Sequence, residues 1–210
     1  MEASNTAAAL MAVGTASGAG SAAATAADAC KGTGGAGMLV AAENGNLESV
    51  KELLAGSHGD AITPDDGASP LLLAAFEGQA QVITALLAAG GGSKYKSAGR
   101  AARRRGCWPS LFTGKPQEFT VVNTALLLAA FQGHAGCVEA LLVGGANPDA
   151  HSSNGSSAVL LAAAAGRLEC VQALIAAGAD ANTQNHEGDT ALMLAAQGDH
   201  GDCVKSLLGI

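Results

Sequence analysis

Aromatic side chains are scarce in this chain of 210 residues: Tyr95, Trp108, Phe76, Phe112, Phe119 and Phe131 are the only six. A globule built around a large aromatic core is therefore excluded, and the abundant Ala and Gly suit thin elements that pack closely. No apolar run reaches 18 residues, so no membrane span is expected. The opening residues MEASNTAAALMAV lack the basic start of a secretory signal and the Arg of a mitochondrial transit peptide, which points to a cytoplasmic protein. The five cysteines form no CxxC pair, so neither a disulfide framework nor a metal site is indicated. An excess of positive charge is missing too: the net balance of −7 gives no overall attraction to nucleic acid or to an anionic membrane.

Residues 1–37 hold fourteen Ala, seven Gly and seven Ser or Thr, too few large side chains to build a core. They are expected to form a mostly disordered arm, with room for a short helix between Ser21 and Gly32. The arm ends in GTGGAG, where Gly32, Gly34 and Gly37 match the G-x-G-x-x-G spacing of dinucleotide sites. That chemistry needs a preceding strand and a following acidic residue at the end of a second one. Neither is present, so no cofactor is expected.

What the chain does have is a phrase written twice. LLLAAFEG at 71–78 returns as LLLAAFQG at 126–133, an offset of 55. Taking the closing glycine as a marker, the same surroundings recur at Gly45, Gly78, Gly133 and Gly166, with Asp199 in the fifth slot; the spacings are 33, 55, 33 and 33. Paired alanines precede each marker: Ala41–Ala42, Ala74–Ala75, Ala129–Ala130, Ala162–Ala163 and Ala195–Ala196. Five residues after it stand Val50, Ile83, Val138, Val171 and Val204, and a pair of large aliphatics follows at Leu53–Leu54, Leu86–Leu87, Leu141–Leu142, Leu174–Ile175 and Leu207–Leu208. Each unit reads as an Ala-rich helix, a turn at the marker, a second helix with apolar residues at i, i+3 and i+4, and a polar loop opened by glycine. Isolated helices need about 12–15 residues to persist in water, so these shorter ones must stack.

SPLLLAA at 69–75, TALLLAA at 124–130, TALMLAA at 190–196 and GADAN at 178–182 resemble the ankyrin repeat, a 33-residue unit of a β-turn and two helices with a T-P-L-H-x-A signature. The resemblance covers about 38–210 and implies an all-α, ankyrin-type α-solenoid of about five helix-turn-helix units with β-hairpin-like loops. One position departs from the signature: its His is replaced by Leu72, Leu127, Leu160 or Met193, so the family's Thr-to-His hydrogen bonding cannot form and a looser array is expected.

Cys137, Cys170 and Cys203 are 33 apart and fall in one column of the second helix. Packed helices sit roughly 8–10 Å apart, beyond the roughly 7 Å that a disulfide tolerates between Cα atoms, so they read as small buried hydrophobes. His134 and His200 follow the marker, and His151 and His186 lie in the polar loops, without a nucleophile in a recognisable motif. No catalytic residue is expected, and the protein reads as a non-enzyme.

The insertion in the 55-residue interval, residues 94–122, carries seven of the eleven Lys and Arg against Glu118 alone, hence +6 there and −13 elsewhere, together with four of the six aromatics. Three readings stand open. The loop suits an acidic partner or nucleic-acid phosphates, with Arg103, Arg104 and Arg105 also resembling a nuclear import signal. Alternatively it folds back on the acidic repeats or is a passive excursion, since lengthening a loop from about 6 to about 28 residues costs only about 1.4 kcal/mol in closure entropy. Or it is a translated intron or gene-model error, because the repeat phase resumes at Asn123.

Solenoids of this kind hold partners on a concave face. The expected function is therefore a protein–protein interaction scaffold, monomeric, with nucleic-acid binding through 94–122 as the alternative. The two residues before each marker should face the groove, which makes Asn44, Phe76, Glu77, Phe131, Gln132 and Gln197 the candidate partner-binding residues. At the far end, Val204, Leu207, Leu208 and Ile210 would form an uncovered apolar edge, where fraying is expected.

Overall fold

The computed structural model describes residues 34–56, 69–90 and 121–209. Among them are ten helices in five pairs: α1 (Gly34–Glu43) with α2 (Leu47–Gly56), α3 (Pro70–Phe76) with α4 (Ala80–Gly90), α5 (Val121–Gln132) with α6 (Ala135–Val143), α7 (Ala158–Ala164) with α8 (Leu168–Ala176), and α9 (Ala191–Gln197) with α10 (Gly201–Leu208). The first helices pack in one row, α1 on α3, α3 on α5, α5 on α7 and α7 on α9, while α2, α4, α6, α8 and α10 form a second row behind it. This is the all-α solenoid expected from the repeat.

The reversal inside each pair has one backbone solution. The marker residue adopts a left-handed conformation every time: Gly45, Gly78, Gly133 and Gly166 have φ of 67°, 80°, 93° and 68°, and Asp199 follows at 57°. The amide one residue later then donates back to the carbonyl of the first alanine of the pair. These bonds are Asn46 to Ala41 at 2.9 Å, Gln79 to Ala74 at 2.8 Å, His134 to Ala129 at 2.9 Å, Arg167 to Ala162 at 2.8 Å and His200 to Ala195 at 2.9 Å. Such a C-terminal motif satisfies carbonyls that the helix end would otherwise leave without partners.

Burial follows the columns. The paired alanines from Ala41 to Ala195 are buried where first helices meet, and Val50, Ile83, Val138 and Val171 are buried between the rows. Leu86, Leu141 and Leu174 are buried while their end-unit counterparts Leu53 and Leu207 are half-buried. Leu72, Leu127 and Leu160, which replace the signature histidine, are likewise core residues, yet Met193 in the same column is 56% exposed against 5% for Leu72. Their burial stabilises each unit only through its neighbour.

With the histidine absent, two of the signature hydroxyls serve the helix end, whereas Ser69 Oγ is buried without making a cap bond. Ser157 Oγ accepts from the Leu160 amide at 3.4 Å and Thr190 Oγ1 from the Met193 amide at 3.3 Å, as N-caps do. The two described loops are hairpin-like. Antiparallel bridges join His151 to Ser157 and Gln184 to Thr190, and the loops are linked by the Asp180 amide donating to Asp149 Oδ1 at 2.9 Å and the His186 amide donating to the Asn154 carbonyl at 3.0 Å.

Two boundaries differ from the sequence reading. Helix α1 starts at Gly34, so Gly34 and Gly37 of GTGGAG are helical rather than a phosphate-cradling loop; Gly32 and the remainder of the arm lie outside the described residues. Helix α5 starts at Val121, inside the stretch assigned to the insertion, and buries both Val121 and Val122 against the core. Two apolar β-branched residues gain more from that burial than their modest helix propensity costs. The rest of the basic segment, including Arg103, Arg104 and Arg105, lies outside the described residues.

The marker turn yields a paired expectation. Gly133→Ala should destabilise the protein by at least about 1–2 kcal/mol, the cost of placing a Cβ in the left-handed region. Asp199→Gly should stay within about 0.5 kcal/mol, because a side chain is already tolerated there. Chemical denaturation of the two variants checks this, and equal effects would contradict it.

Candidate interaction surface

The six candidate residues lie where the repeat register puts them, at the C-terminal ends of successive first helices. Asn44 follows α1 and is exposed, its Nδ2 donating to the Val40 carbonyl at 2.9 Å. Phe76 ends α3 and is half-buried, and Glu77 caps that helix with an exposed side chain. Phe131 and Gln132 end α5; Phe131 packs partly against the core and Gln132 is half-buried. Gln197 ends α9, exposed. They occupy equivalent places along one row of helices.

A second set of residues, one position past the marker, locks that row, and the sequence reading missed its role. His134 Nε2 is 2.9 Å from the Phe76 carbonyl, Arg167 Nε donates to the Phe131 carbonyl at 3.5 Å, and His200 Nε2 is 3.3 Å from the Ala164 carbonyl. Each side chain thus reaches into the preceding unit, to the carbonyl two residues before its marker. The side chains lie over the preceding marker glycine. A Cβ on Gly45 would stand 2.2 Å from Gln79 Oε1, on Gly78 2.7 Å from His134 Nδ1, on Gly133 2.6 Å from Arg167 Cδ, and on Gly166 2.6 Å from His200 Nδ1. Glycine therefore suits the position twice, for its backbone and for the room it leaves these side chains, although the ends of Gln79 and Arg167 could swing aside. Asn46, with no described unit before it, instead caps α2 by accepting from the Ser49 amide at 3.2 Å.

The electrostatics are acidic. The described residues carry twelve acids against Lys51, Arg167 and Lys205, which leaves −9. Lys51 pairs with Glu48 at 3.1 Å and Lys205 with Asp202 at 3.2 Å, both exposed i,i+3 pairs of small energetic weight. Among the described residues no group of His, Cys, Asp and Glu could hold a metal ion, and no helix is long and apolar enough to cross a membrane.

Cys137, Cys170 and Cys203 are buried free thiols, as their column position implies. Burial pushes Cys137 from 9.0 up to about 11, with Cys170 beside it adding to the rise. Burial does the same for Cys170, also to about 11, where Arg167 pulls the other way and Glu169 adds to the rise. Cys203 is raised by burial and by Asp202. A thiolate is the reactive form, so this column offers no nucleophile at neutral pH.

Residues 123–210 match the family model for ankyrin repeats in three copies. Residues 123–210 are thus ankyrin repeats, and repeats of this family are generally protein–protein interaction modules rather than catalysts. A search of curated proteins finds no match for the chain.

Two outcomes follow. His134→Ala should cost about 0.5–1.5 kcal/mol, the net worth of one hydrogen bond between units, measured by denaturant unfolding. Between pH 9 and about 11 the unfolded thiols lose protons that folded Cys137 and Cys170 keep, so the unfolded state binds fewer and stability should fall across that window. Replacing both with Ala should flatten the slope, as read from melting curves.

Proposed function

We propose that the chain is a non-enzymatic scaffold that holds a protein partner on the groove formed by the C-terminal ends of its first helices. The supporting observation is the register of Asn44, Phe76, Glu77, Phe131, Gln132 and Gln197: six side chains, exposed or half-buried, at equivalent positions of a row whose spacing is held by bonds between units. The backbone carbonyls there are partly engaged by the locking side chains, which leaves the side chains as the means of recognition. Two phenylalanines flanked by Glu43, Glu77 and amides suit a partner that brings apolar anchors and basic side chains. Aromatic anchors with a polar rim are the usual source of binding energy at such surfaces.

Specificity tests can avoid Phe131, since its ring supports the core. Glu77→Ala combined with Gln132→Ala should lower affinity for a captured partner by about tenfold or more if these residues belong to the hot region. Thermal unfolding should be nearly unchanged, because both are at the surface. Deleting 94–120, which spares buried Val121 and Val122, should leave that binding intact. Loss of binding only on deletion, with strong salt dependence, would instead favour the basic insertion and Arg103, Arg104 and Arg105 as the contact.

A further inference from the structure

The chain contains two Asn-Gly steps, Asn44–Gly45 and Asn154–Gly155, and the fold holds them very differently. In an Asn-Gly step the glycine amide nitrogen can attack the asparagine Cγ, because glycine leaves the approach unhindered. The N–Cγ bond forms, the Nδ2 group departs as ammonia with the displaced proton, and a cyclic succinimide results. A solvent water then opens the ring at either carbonyl, giving aspartate or isoaspartate. The reaction needs a mobile side chain and an amide nitrogen released from hydrogen bonding.

At Asn154 both requirements are blocked. Its Oδ1 accepts from the Ser156 amide at 3.2 Å and from Ser152 Oγ, and its backbone carbonyl accepts from the His186 amide at 3.0 Å. The attacking nitrogen, that of Gly155, donates to the Ser152 carbonyl at 2.9 Å, and the His186 ring lies against Gly155. At Asn44 the restraint is lighter. The side chain is exposed and makes one bond of its own, from Nδ2 to the Val40 carbonyl at 2.9 Å, while the Gly45 amide has only a long contact of 3.4 Å to the Ala42 carbonyl.

We propose that Asn44 is a site of spontaneous deamidation in the folded protein and that Asn154 is protected from it. The consequence is larger than one added charge. An aspartate at 44 loses the Nδ2 donor and turns a carboxylate towards the Val40 carbonyl, at the negative end of α1. An isoaspartate inserts a methylene into the main chain at the left-handed turn, where the Asn46 amide must meet the Ala41 carbonyl and Gln79 rests over Gly45. Either product loosens the first helix pair. Should the groove be the partner surface, it also adds negative charge beside Glu43, but the modification itself does not rest on that reading.

Incubating the full-length protein in mildly alkaline ¹⁸O-water and mapping its peptides by mass tests the assignment, with the chain in denaturant as reference. The denatured chain should convert at both steps. In the native protein, label at position 44 should exceed that at 154 by roughly tenfold or more, the protection expected from two further hydrogen bonds. Asn44→Gln should abolish the native signal, since its longer side chain closes the ring poorly. Equal native rates at the two steps, or faster conversion at Asn154, would overturn the proposal, as would a native protein that stays unlabelled at 44 while the denatured chain reacts.

Discussion

Everything in this molecule depends on a turn that only a left-handed residue can make. The marker position reverses the chain between the two helices of a unit, and its conformation brings the next amide within reach of an alanine carbonyl one turn back. That amide is used inside the unit. The side chain on the same residue is used outside it, against the preceding unit's helix end. One residue thus couples local folding to stacking, which is why the geometry can repeat without long-range sheet pairing.

Small side chains complete the device. Alanine at the meeting line of α1, α3, α5, α7 and α9 brings the helices close while adding little burial of its own, so the energy comes from the valine, isoleucine and leucine columns between the rows. Helices of seven to twelve residues gain little from propensity alone. Each is stable because two neighbours cover it. Where one neighbour is absent among the described residues, the same columns change state: Met193 is open although its three counterparts are closed.

The proposed interaction surface is a by-product of that arrangement. Residues just before the marker are at most partly buried, because the Ala pair behind them fills the meeting line, and they cannot join the second row, because the chain is about to reverse. They are left at the rim. The acidic surplus and the two half-buried phenylalanines are what the proposed surface offers a partner. The sequence displayed these residues through their phase relative to the marker. It did not display that Phe131 is also a core contact, because its phase matches that of exposed Gln197 and Glu43 and only packing separates them.

Periodicity made the helix pairs, the marker turns, the buried columns and the thiol column legible, because each is decided within one unit by residue types that must recur: glycine for a positive φ, alanine for close approach, branched aliphatics for burial. The locking residues were not legible in the same way. Gln79, His134, Arg167 and His200 are not of one side-chain type, and the carbonyls that His134, Arg167 and His200 reach lie 58, 36 and 36 residues earlier. The early starts of α1 at Gly34 and α5 at Val121 escaped for a related reason. Their residues lie outside the repeating pattern, and whether they become helix depends on a surface against which to bury, which exists only once the units have stacked.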